Sequence, residues 1–246
     1  MKKFGLLLLF LVVLGIPLLA QEAAAPLNIN LDSFLKPNGF SSTINLLIAL
    51  SSITLIPFFL VSTTSFLRII IVLSLMRQAI GTQQAPPNSV MISLAIFMTI
   101  FVMTPTWNEI NETAVKPYQE KRITQKEAME VGIKPFRKFM LKLTRDQDLA
   151  LFLEFSQIKK PEDHNAVPTF VIIPAFIISE LKAAFQIGFL LFVPFVVIDL
   201  IVSNILLSLG MFMLSPAMIS LPFKILLFVL TDGWNLIIRG LLLSFQ

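Results

Sequence analysis

A chain of 246 residues that is 56% hydrophobic and 14% charged, with a mean hydropathy of +0.83, lies far from soluble composition and inside the membrane class. It has no Cys and a single His, His164, which excludes thiol nucleophiles, disulfides, iron-sulfur clusters and any multi-histidine metal centre. A net charge of +4 is small for this length and most charge lies in one segment, so no nucleic-acid partner is expected.

Lys2 and Lys3, an apolar run from Phe4 to Leu14, then Pro17 and Ala20 have the parts of a secretory signal over residues 1–20. Cleavage after Ala20 is expected, with Ala23 to Ala25 as a second candidate; a retained signal anchor is the alternative. A polar segment, 21–43, leads into a first hydrophobic region, 44–106, that reads as a helical hairpin. Its first arm, Ile44 to Leu75, is longer than the roughly 20 residues a bilayer crossing needs, so a tilt or a kink near Pro57 is expected. That arm also contains Arg68. GTQQAPPN, Gly81 to Asn88, turns the chain, because consecutive prolines cannot continue a helix. The second arm is Ser89 to Thr104.

From residue 107 to 165 the composition changes, with eleven Lys or Arg against ten Asp or Glu. This is a water-exposed domain. Phe136, Phe139, Met140 and Leu143, then Leu149, Phe152 and Leu153, recur at helical spacing and predict two or three amphipathic helices. The phenylalanines serve either a local core or a partner surface. With the signal removed, the first arm enters the cytoplasm, Arg77 lies there, the second arm returns, and the charged domain faces the periplasm; long loops of balanced charge cross despite the positive-inside rule.

Residues 166–246 form a second hydrophobic region. Between Ala166 and Leu230 it holds four charges: Glu180, Lys182, Asp199 and Lys224. Each costs roughly 2.5 to 3.5 kcal/mol at a bilayer centre, so they are expected to pair, reach water or sit inside an assembly. Glu180 and Lys182 point to different sides of one helix. Lys224 is therefore the expected partner of Glu180, leaving Asp199 for Lys182 or a neighbouring subunit. Such pairs fix subunit register or conduct protons. Pro174, Pro194, Gly210, Pro216 and Pro222 are expected to break the apolar stretch into bent hairpins inside an oligomer. GMFMLSP, Gly210 to Pro216, is a glycine break followed by large flexible side chains that either fill a core or seal a pore. No HExxH, GxSxG or Gly-rich phosphate loop is present, and His164 reads as a solvated loop residue, so no enzyme is expected.

RIIIVLSLMRQAIGTQQAPPN at Arg68 to Asn88, IPAFIISELKAAFQIGF at Ile173 to Phe189, PFVVIDL at Pro194 to Leu200 and LPFKILLFVLTDGW at Leu221 to Trp234 together resemble the FliP family of flagellar type III secretion, whose virulence relatives are called SctR. The signal favours the flagellar branch. The resemblance implies an all-α membrane protein of kinked helical hairpins with a central helical periplasmic domain, assembling into a helical ring. It implies a pore-forming subunit of the export gate for unfolded flagellar proteins, in the bacterial inner membrane within the flagellar basal body. The expected partners are further copies of the chain, as a pentamer, and FliQ, FliR, FlhB and FlhA family proteins; no cofactor is implied. Glu180 and Lys224 match the family's charged pair linked to subunit association, and Asp199 matches an acid that contacts neighbours; Lys182 completes the candidate interface charges. Met211, Phe212 and Met213 match a methionine-rich gasket, with Phe212 where another Met is common. Phe139 and Phe152 fall in the assembly region. The alternative is a secondary transporter or proton channel using the intramembrane acids. A scaffold that never conducts is a third reading.

Overall fold

The computed structural model describes residues 57–82, 84–156 and 166–246, with Ser51, Thr54 and Leu55 besides. The signal, the polar lead-in and His164 lie outside the described residues. Residues 56–246 form one compact unit, and all its regular structure among the described residues is helical. The helices are α1 (Pro57–Thr63), α2 (Phe66–Ile80), α3 (Asn88–Ile110), α4 (Lys116–Gln119), α5 (Gln125–Leu143), α6 (Asp146–Phe155), α7 (Thr169–Ser208), α8 (Pro216–Leu230) and α9 (Gly233–Leu243).

α1 and α2 meet at a bend of 78°. The bend falls at Thr64 and Ser65; Ile56, which leads into Pro57, lies outside the described residues. Ser62 and Thr63 hydroxyls donate to the Phe59 carbonyl, and Thr64 donates to that of Leu60 at 2.6 Å. Hydroxyls bonded back into the preceding turn loosen the helical ladder and bend it. α2 then buries Ile69, Val72, Leu73, Met76 and Ile80, the spacing of one apolar helix face. Gly81 ends it at φ +89°, the left-handed geometry of a helix C-terminus. Arg77 secures the following turn, donating to the Pro86 carbonyl at 3.2 Å and to Asn88 Oδ1 at 2.7 Å.

The helix that starts at Asn88 outruns its apolar segment. It passes Pro105 and a π-helical turn at Asn111–Val115 to reach Gln119, 32 residues in all. Two amphipathic helices follow, as their periodicity predicts. α5 starts on a reciprocal cap, in which Thr124 and Glu127 each bond the other's backbone N–H.

α7 corrects the expectation that prolines fragment the second region. It runs unbroken for 40 residues through Pro174 and Pro194. Each proline removes one ladder bond, to the carbonyls of Phe170 and Leu190, but the remaining ladder and the neighbouring helices carry the segment. Pro216 occupies the first turn of α8, where its missing N–H costs nothing. Gly210, at φ +73°, stands where the helix does end. α8 and α9 meet at a 65° bend.

α2 is the most enclosed helix. It lies against α3 on one side and α7 on the other, and its buried face joins Met91, Ala95, Ala184, Phe195 and Leu241 in one core. Arg68 meets Glu180 and Leu75 meets Gly188, so α2 and α7 run parallel. A second core, around Met140, Leu149, Val171, Ile172 and Phe176, fastens α5 and α6 to the start of α7. The outer faces of α3, α7 and α8 are apolar and exposed, as at Phe101, Phe189 and Leu230. Asn88–Gln119 and α7 are each long and apolar enough to cross a membrane.

Candidate functional site

Three buried or half-buried ion pairs and one exposed loop gather the residues that sequence singled out. Glu180, in α7, is fully buried, and its partner is Arg68 of α2 rather than Lys224. Arg68 Nε donates to Oε2 at 2.9 Å while Nη2 donates to Oε1, a two-pronged match of planar fork to planar carboxylate. The remaining nitrogen, Nη1, donates to the Ser244 carbonyl at 2.7 Å and its hydroxyl at 3.0 Å. The guanidinium lies 4.2 Å from the Phe245 ring centroid, adding a cation–π contact. Desolvating both charges is costly, and this full set of partners offsets the cost.

Lys224 instead pairs with Asp199 at 2.6 Å, across the α7–α8 hairpin. Ser220, one turn before Lys224, donates to the other Asp199 oxygen at 2.5 Å. Lys224 also donates to the Ala79 carbonyl at 3.4 Å, placing a cation at the negative end of α2. The sequence expectation paired Glu180 with Lys224. The parallel course of α2 and α7 decides otherwise, because it sets the start of α2 beside Glu180 and its end beside Lys224.

Lys182, on the other side of α7 from Glu180, pairs with Asp148 of α6 and not with Asp199. Asp148 is buried and also accepts from Ser179 Oγ at 2.8 Å; Ser179 in turn accepts from the Arg145 backbone N–H at 3.0 Å. Burial alone raises the Asp148 carboxyl, but hydrogen bonds from Lys182 and Ser179 and the charges of Lys182 and Arg145 outweigh it and hold it below its ordinary value. Arg145 Nη2 reaches Gln186 Oε1 at 2.5 Å. Asp148, Ser179 and Ser220 escaped the sequence reading. Arg68 was visible there as a charge in an apolar block, the signal that could have found the Glu180 pair.

Phe139 and Phe152 pack against the second core, Phe139 at 6.1 Å from Phe176 between ring centroids. Both are half-buried, so local core is what they form within this chain. The loop at the tip of the α7–α8 hairpin is the opposite case. Met211 is 43%, Phe212 75% and Met213 100% exposed, and nothing lies within 4 Å of where a Gly210 side chain would begin. Among the described residues, no group of three His, Cys, Asp or Glu stands together as a metal site would need.

The FliP family model matches residues 49–241. The chain is 50% identical over 217 residues to a protein of Bacillus subtilis named flagellar biosynthetic protein FliP, covering 88% of this chain and 98% of that one. A protein of the same name from Caulobacter vibrioides is 47% identical over 92% of this chain and 85% of its own length. Another, from Borreliella burgdorferi, is 49% identical over 83% of this chain and 82% of its own.

Proposed function

We propose, from the premise that this chain belongs to the FliP family, that it serves flagellar biosynthesis as a pore-forming subunit of the type III protein export gate. The reading places it in the bacterial inner membrane, in the flagellar basal body, with the charged domain on the periplasmic side. Copies of the chain, five by expectation, surround a channel together with FliQ and FliR family proteins, and FlhB and FlhA family proteins complete the gate. Its task is geometric, with no bond made or broken.

The α7–α8 hairpin carries this reading. It ends in a loop of large, exposed apolar side chains, Met213 being wholly exposed. Repeated around a ring, Met211, Phe212 and Met213 would close a channel by bulk. Methionine's three rotatable bonds would let the closure deform around an extended polypeptide. α7 supports the same assembly: 40 residues of helix span about 60 Å, twice the hydrocarbon thickness of a bilayer. Its exposed apolar positions crowd between Phe185 and Leu209 and continue on the loop and α8, a surface that neighbouring copies would cover.

The transporter alternative needs acids free to exchange protons with water, whereas Glu180 is enclosed with Arg68, and Asp199 is held by Ser220 and Lys224. The deciding experiment is ion conductance of membranes carrying assembled complexes in which Met211→Ala and Met213→Ala are combined. A leak to small ions with assembly intact is expected. Unchanged impermeability would remove the loop from the role of seal.

A further inference from the structure

The second half of α7 presents two unlike faces at one level. At about 3.6 residues per turn, Phe189, Val193, Val196, Leu200 and Leu207 fall in one line along the helix, and each is exposed. They form a ridge. On the other side of the helix, Ile201, Val202, Ile205 and Leu206 join Ile219 and Phe223 of α8 around an apolar groove of about 380 Å3. Val202 and Leu206 are buried and make its floor, while Ile201, Ile205, Ile219 and Phe223 stand exposed as its walls.

From Val196 to Leu207 the ridge occupies the same stretch of α7 as the groove, so the two stand level. Neither carries a charge: Asp199, which lies among them in sequence, is turned into the hairpin by Ser220 and Lys224. An interface built on these faces would therefore desolvate no unpaired ion. At 40% to 70% exposure, the nine exposed side chains of ridge and walls offer on the order of 1,000 Å2, the area at which a specific protein interface begins.

A ridge on one side and a groove on the other suit two copies set side by side, with one helix packed across a pair of others. The copy that inserts its ridge keeps its own groove open for a third. Such head-to-tail contacts repeat into a ring or a helix, whereas a patch that meets its own twin stops at a pair.

We propose that α7 of one copy lies in the α7–α8 groove of the next, with Leu200 of the first against Phe223 of the second. Asp199 bonds to both Ser220 and Lys224, which sets Phe223 level with position 200. The proposal rests on the reading of this chain as a ring-forming subunit, and adds to it the faces that meet and their direction. Lipid and a helix of a different protein are the competing occupants.

The chain has no Cys, so Leu200→Cys and Phe223→Cys report only the contact under test. Within one chain Leu200 points away from the groove that Phe223 lines, so a link between them joins two copies. Both changes would be placed in one chain, co-expressed with FliQ and FliR family neighbours, and treated in membranes with a short bifunctional maleimide. A ladder of linked dimers, trimers and larger species is expected, with neither single variant forming it. Linked dimers from Leu200→Cys alone, as abundant as those of the double variant, would mean that ridge meets ridge and overturn the proposal. No ladder from a complex whose native mass still shows a ring overturns this contact and leaves the ring standing. Absence of a ring from the unaltered protein overturns both. Leu200→Glu, at an exposed position, gives a second test: native mass should shift from ring to monomer with helix content kept, and a ring that persists also overturns the proposal.

Discussion

Arg68 shows how much a single buried side chain decides in this protein. Its guanidinium joins α2 to α7 through Glu180 and both to the chain after α9 through Ser244 and Phe245. Arg68→Leu strands the Glu180 carboxylate in a dry interior, a loss of about 3 to 5 kcal/mol. Thermal unfolding in detergent should show it, and Arg68→Leu with Glu180→Leu should recover most of the loss, since the double change removes both charges. A double variant as unstable as the single one would mean that Ser244 and Phe245, not the ion pair, hold the junction. Asp148 gives a pH test. Its folded carboxyl lies below the ordinary value of 3.8, so the unfolded chain takes up the proton first on acidification. The contribution is therefore complete above about pH 4 and disappears as pH falls through the lower folded value. Half-exposed Lys182 limits its size through solvent screening. Asp148→Asn should flatten the acid limb of the melting profile; an unchanged limb would remove Asp148 from acid sensitivity.

Among helices, the contact of α2 with α7 is the tightest geometric constraint. A Cβ added to Gly188 would stand 2.2 Å from Leu75 Cδ1 and 3.1 Å from Leu75 Cβ. The leucine tip can swing away, but its Cβ moves only with the α2 backbone. Gly188→Ala is thus expected to cost about 1 to 3 kcal/mol by overpacking, and Leu75→Ala in the same chain should restore part of it. Melting temperatures of the two variants would decide, and a single variant as stable as the parent would contradict this packing. Much at this scale was legible in the sequence: the apolar arms, the GTQQAPPN turn and the amphipathic periods of α5 and α6 follow from composition and spacing. Partner choice was not. Arg68 and Glu180 are 112 positions apart, and only the parallel course of two helices brings them together. Pro174 and Pro194 misled for a related reason, since whether a proline breaks a helix depends on the neighbours that support its backbone. The bend at Thr64 and Ser65 goes with hydroxyl back-bonding from Ser62, Thr63 and Thr64, a weak signal in sequence.

As a whole molecule, the chain pairs the charges of α7 and α8 within itself and turns much of the apolar surface of those helices outward. Glu180, Lys182, Asp199 and Lys224 all find partners within one chain, while Phe189, Leu200, Phe212, Met213 and Leu230 face outward from α7, its loop and α8. A surface of that kind requires a covering, and copies of the chain with FliQ and FliR family proteins supply it in the account proposed here. Its central claim is best tested by the native mass of the protein purified in mild detergent after co-expression with its FliQ and FliR family neighbours. The account predicts a discrete ring of about five copies with both neighbours bound, the size expected from the family resemblance. A monomer or dimer that binds neither would contradict it.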